Sequence, residues 1–212
     1  MRRGVRSAYQ RQAEAALATS VAAFARWVAP VLCAAFPVRI AHLEASGTPA
    51  DRAADREQGL DARLHWGDGR PPLGLMSRLQ RGRNWRTFTL ECRHELGCAT
   101  ELDKLLARGA ANPELVLQGY YDDAGLRGLA LTTSALLRHA WAEGWFGAPR
   151  VQRAPHPGRA FVPLAWDVLH QRGLPLREYD PVTATWWGQP LPGLDVPSAA
   201  AQAASTARTP AP

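Results

Sequence analysis

Residues 59–93 cannot be one helix, and this constrains the fold more than any other feature of the chain. Trp85, Thr87, Thr89 and Glu91 alternate with Arg86, Phe88, Leu90 and Cys92, the two-residue period of a strand rich in aromatic and β-branched side chains. Upstream, the segments Gly59 to Trp66 and Pro72 to Arg81 flank Gly67-Asp68-Gly69-Arg70, whose two glycines can take the positive φ of a tight turn. The pattern predicts a hairpin followed by a third strand with Phe88, Leu90 and Cys92 on its apolar face.

Helical signals surround these strands. Leu17, Val21, Phe24 and Val28 recur at three- and four-residue intervals in an alanine-rich run from Ser7 to Trp27, and Pro30 is expected to end or kink that helix. A second helix is predicted from Thr100 to Arg108, with Thr100 and Asp103 in capping-box positions and Gly109 as the stop. Pro113 to Tyr121 is nearly all apolar, as in a strand covered on both faces, and the turn Asp122-Asp123-Ala124-Gly125 closes it. Thr133 or Ser134 opens a further helix ended by Gly144; Ala160 to Leu164 reads as a short strand and Trp166 to Gln171 as a helix.

With 212 residues and 46% hydrophobic content the chain can bury one core of ordinary size. The expected class is α/β (α+β): a single domain over residues 1–189, built on a central mixed β-sheet flanked by helices. Beyond Pro190 the composition is mostly Pro, Ala, Ser and Thr with few large apolar side chains, so residues 190–212 are expected to form a disordered tail. Three cysteines, Cys33, Cys92 and Cys98, leave one thiol over under any pairing, which fits a reducing cytoplasmic setting. The apolar stretch Ala15 to Ala35 is interrupted by Arg26 and Pro30 and reads as a buried helix rather than a membrane span.

Twenty-five Lys and Arg against 19 Asp and Glu give a formal charge of +6. That balance favours a polyanionic partner. Arg78, Arg81, Arg83, Arg86 and Arg93, interleaved with Trp85 and Phe88, form the densest basic and aromatic region. Such a patch can neutralise phosphates while a ring stacks on an unpaired base. Nucleic acid, DNA in the first place, is therefore the expected partner, and a protein partner held by the arginines or tryptophans is the alternative. Cys92, His94 and Cys98 have the side chains of zinc ligands but lack a fourth partner at a fitting spacing.

The segment Asp55-Arg-Glu-Gln-Gly-Leu-Asp61-Ala-Arg-Leu, its glycine-rich turn and the strand that follows, leading to Phe88-Thr-Leu-Glu91, resemble the PD-(D/E)xK nuclease-like superfamily. The resemblance spans about Ala8 to Gly173 and implies a restriction-endonuclease-like core. Magnesium or manganese would then be held by carboxylates of neighbouring strands, polarising a phosphodiester and activating water. Asp61 matches the first carboxylate. Counting across the hairpin sets Asp61 opposite Ser77, so the second half of the motif falls at Met76 to Arg78, where this sequence has neither carboxylate nor lysine. Arg78 then stands in the cationic position, Glu91 supplies a displaced carboxylate, and Glu14 on the first helix adds another. A catalytically silent scaffold keeping the fold is the alternative.

Overall fold

The computed structural model describes residues 18–43, 48–94, 97–107, 113–151 and 158–194. Among the described residues ten strands, β1 (Val38–His42), β2 (Ala62–Trp66), β3 (Leu73–Arg81), β4 (Thr87–Arg93), β5 (Leu115–Asp122), β6 (Gly125–Thr133), β7 (Arg150–Val151), β8 (Ala160–Ala165), β9 (Leu176–Asp180) and β10 (Thr185–Gly188), form two sheets. The larger has the order β1-β2-β3-β5-β6-β9-β10, and the smaller β4-β8-β7. Only β3 and β5 run parallel; every other pairing is antiparallel. The mixed α/β class and the mixed central sheet are as expected from the sequence.

One face of the large sheet is covered by helix α1, Ala18–Ala35. By length and composition α1 could cross a membrane, yet Phe24, Val28 and Leu32 are buried against Leu64, Leu75, Leu117 and Leu131 of the sheet. Pro30 does not end it. The helix widens into a π turn over Phe24–Val28, where the Ala29 N–H reaches back to the Phe24 carbonyl. Pro30 thereby falls in the first turn of the next α-helical segment, where its missing N–H leaves no intrahelical bond broken. Leu191 and Leu194 pack into the same core, so the packed chain runs past Pro190, the expected start of the tail. Two leucines in a proline-rich run suffice for this, because each is almost fully buried. Residues 195–212 lie outside the described residues.

The other face carries the small sheet and helices α3 (Glu101–Leu106), α4 (Ser134–Ala142) and α5 (Trp166–Gln171), around a core of Phe88, Leu90, Tyr120, Leu137, Leu164 and Trp166. A further helix, α2 (Pro49–Gln58), precedes β2. Local signals set these elements. Thr100 and Asp103 close a reciprocal capping box on α3, and the Thr133 hydroxyl accepts from the Leu136 N–H to cap α4.

The third expected strand leaves the hairpin's sheet. Gly82 at φ 125° and Arg86 at φ 51° turn the chain between β3 and β4 out of plane. Asn84 fixes that loop: its Oδ1 accepts from the Arg86 N–H (2.9 Å) and its Nδ2 donates to the Arg127 carbonyl (3.1 Å). β4 then pairs with β8 alone, and side chains satisfy its other edge. Thr89 N–H donates to Gln118 Oε1 (3.2 Å), Glu91 N–H to Glu101 Oε2 (2.7 Å), and the Tyr120 hydroxyl donates to the Thr87 carbonyl (2.8 Å). An open strand edge is thus closed without another strand.

Gly128 of β6 is where Asn84 lies closest. A Cβ there would overlap the Asn84 amide, so Gly128→Ala should push Asn84 away, break both loop bonds and cost about 1–3 kcal/mol. Denaturant unfolding of the variant checks this, and an unchanged midpoint would refute the pinning role.

Candidate nucleic-acid interface

The carboxylates singled out in the sequence do not converge. Asp61 precedes β2 and its Oδ2 accepts from the backbone N–H of Ser77, although the β2–β3 register, with Ala62 opposite Leu75, sets Asp61 opposite Met76, one residue from the Ser77 expected. That bond fixes the entry of the hairpin, together with Asp61 N–H to the Leu75 carbonyl (2.9 Å). Glu91 stands on the other sheet. It is 5% exposed, and both its oxygens accept from the Arg159 guanidinium. Glu14 lies outside the described residues. Among the described residues no three His, Cys, Asp or Glu side chains are grouped to hold a metal ion. The described members of the implied donor set, Asp61 and Glu91, therefore do not together offer magnesium or manganese the several free oxygens that a hard dication needs.

The arginines divide in the same way. Arg86, from its left-handed backbone position, turns inward: it pairs with the buried Glu178 and, at 2.9 Å, with Asp167. Burial acts to lower the pKa of this guanidinium, but the Asp167 hydrogen bond and the Glu178 charge outweigh it and hold it above the ordinary arginine value. Arg81 forms an exposed two-pronged pair with Asp123 (2.5 and 2.6 Å), the kind of contact a phosphate can replace at little cost. Arg83 lies over the Trp85 ring at 5.1 Å, and Arg93 is exposed.

Arg78 and Trp85 meet in a groove of about 530 Å³ between the two sheets. Arg78 and Gln80 come from β3, Thr87 and Thr89 from β4, Arg150 and Val151 from β7, and Phe161 and Pro163 from β8; Trp85 stands on the loop before β4. No carboxylate lines it among the described residues. Trp85 is 60% exposed, an unusual state for so large an aromatic ring. The Arg78 guanidinium is held over the Phe161 ring at 4.4 Å and by Glu101 Oε1 at 2.6 Å. Beneath the groove, sharing Arg78 and Thr89 with it, lies a cavity of about 10 Å³. There Arg78 Nε and Gln118 Nε2 are buried donors without an acceptor among the described residues.

No protein-family model, curated protein or solved structure matches this chain. The groove has to be read from its own chemistry.

That chemistry includes residues the sequence reading did not single out. Arg150 and Phe161 become cross-strand neighbours only through the β7–β8 pairing, and neither the two-residue β7 nor its register has a periodic signature. Arg159 was equally hidden, 68 residues from Glu91. Gln80, Thr87 and Thr89 do lie on segments read as strands, and their alternation places them together on the polar side.

Proposed function

We propose that this protein binds nucleic acid through the groove between its two sheets. The observation that carries the reading is a recess lined by Arg78, Arg150 and the exposed Trp85 with no carboxylate lining it among the described residues. Arg150 offers a forked donor to phosphate oxygens, Arg78, whose Nη1 is held by Glu101, adds positive charge at the wall, and the indole offers a face to a base. The formal charge of +6 adds a long-range attraction for any polyanion. Phosphodiester hydrolysis forms no part of the proposal, because Glu91 gives both its oxygens to Arg159 on the other sheet and Asp61 gives Oδ2 to the Ser77 N–H. The thiols of Cys33, Cys92 and Cys98 are free, in keeping with a reducing, cytoplasmic place of action.

Binding of labelled oligonucleotides should weaken steeply with added salt, as counterions released by the arginines are driven back. Arg150 is exposed at the groove wall, so Arg150→Ala should leave folding unchanged and reduce the log–log salt slope by about 0.7–0.9, the share of one phosphate contact. Affinity independent of salt, or no binding to any oligonucleotide at low ionic strength, would overturn the reading in favour of a scaffold that holds a protein partner.

A further inference from the structure

We propose that the groove takes an unpaired strand rather than a duplex, with a base on Trp85 and the adjoining phosphodiester between Arg78 and Arg150; this rests on the nucleic-acid reading above. The first argument is size. A recess of about 530 Å³ has the capacity of a small-ligand pocket. It admits a nucleotide or two splayed from the strand, whereas a base inside a duplex stays stacked between its neighbours and presents only its edges.

The second argument is the disposition of the indole. Arg83 lies over the Trp85 ring but does not line the groove. The ring is therefore backed by a guanidinium on one side while the groove receives its remaining surface. Stacking on an aromatic platform tolerates any base, because each has a π face, and it requires that face to be uncovered. Trp85 is also held in place rather than carried on a loose loop. Asn84 before it and Arg86 after it are both tied down, by the Arg127 carbonyl and by Glu178 with Asp167.

The floor beneath the groove is a support and not a ligand contact: Arg78 Nε and Gln118 Nε2 are buried at a cavity of about 10 Å³ that Glu101 also lines, room for no more than about one water, and Gln118 Oε1 is engaged by the Thr89 N–H.

The test compares fluorescently labelled oligothymidylate with a duplex of equal length, for the intact protein, Trp85→Ala and Trp85→Phe. The single strand should bind at least tenfold more tightly than the duplex. Trp85→Ala should lose roughly 5- to 150-fold on the single strand, the equivalent of about 1–3 kcal/mol of stacking, and little on the duplex. Trp85→Phe should recover most of the loss. Because Trp85 is largely exposed, circular dichroism of both variants should match the parent. Equal or tighter binding of the duplex, or an indifferent Trp85→Ala, would overturn the unpaired-strand proposal while salt-dependent binding kept the nucleic-acid reading. Absence of binding to either form would overturn both.

Discussion

Glu91→Ala should destabilise the fold by about 3–5 kcal/mol, the range found when one partner of a buried ion pair is removed. Glu91 is 5% exposed, and Arg159 grips both its oxygens from the loop before β8. The Arg159 stem and head are themselves three-quarters covered, and the guanidinium lies 5.4 Å from the Phe161 ring centre. Taking away the carboxylate removes the counter-charge that Glu91 gives this guanidinium through both oxygens, at the point where β4 and β8 are bulged. Arg159→Ala should cost as much, since it strands the carboxylate instead. The double variant Glu91→Leu with Arg159→Met should be milder than either single truncation, because a pair replaced by apolar groups of similar bulk carries no orphaned charge. Urea unfolding of these proteins together with the double alanine variant, which closes the cycle of the two alanine substitutions, gives the coupling directly. The outcome also separates two roles for Glu91: a metal ligand would leave stability nearly unchanged in the variant and make magnesium raise the unfolding midpoint of the parent alone. Strict additivity of the single substitutions would sink the ion-pair account.

The parts of this architecture that the sequence makes legible are those decided within a few residues. Thr100 and Asp103 announce their capping box because both halves lie on one turn of chain, and the apolar run Leu115 to Tyr121 announces a strand covered twice. The Gly67–Arg70 turn announces the hairpin but not its exact register: Ala62 pairs with Leu75, which sets Asp61 opposite Met76, and Asp61 reaches Ser77 only through its side chain. β4 shows the limit. Its alternation tells which side Phe88 and Leu90 bury, but Gly82, Asn84 and Arg86 decide which sheet receives it, and they act through contacts with Arg127, Gly128 and Glu178 far along the chain. β6, β9 and β10 went unrecognised for a related reason. β6 is a buried run opened by Gly125 and Gly128, and the short β9 and β10 carry Arg177, Glu178 and Trp187, charged or exposed residues that mask their period. Of the candidate site, Arg78 and Trp85 are legible as a basic and aromatic neighbourhood. Arg150 is not, and neither is the diversion of Arg86, since one arginine in a sequence looks like another until its partner is known.

That diversion sets up the second large effect. Glu178 is 4% exposed and receives Arg86 on one oxygen and His170 Nε2 on the other at 3.1 Å; Trp187 stacks on the His170 ring at 4.3 Å and shuts the network from outside. Burial pushes the Glu178 carboxyl above the ordinary glutamate value, against the pull of His170 and Arg86. Folding therefore favours the protonated acid. This group's contribution is fully present below the unfolded-state pKa and is lost as pH rises through the folded-state one. Asp103 and Asp122 run the other way: held low by hydrogen bonds from Thr100 and Arg127 respectively, they support the fold above the unfolded aspartate value and lose that support as acid protonates them. The difference between parent and variant removes their share. Arg86→Ala deprives the buried carboxylate of its main counter-charge and should cost about 3–5 kcal/mol at neutral pH, with the deficit shrinking as pH falls and Glu178 takes up a proton. Adding Glu178→Gln should recover much of the loss at neutral pH and flatten its pH dependence, because no buried charge then remains to be compensated. Urea unfolding from mildly acidic to neutral pH tests each step. A deficit equal at every pH and untouched by Glu178→Gln would show that Arg86 acts only through its left-handed backbone.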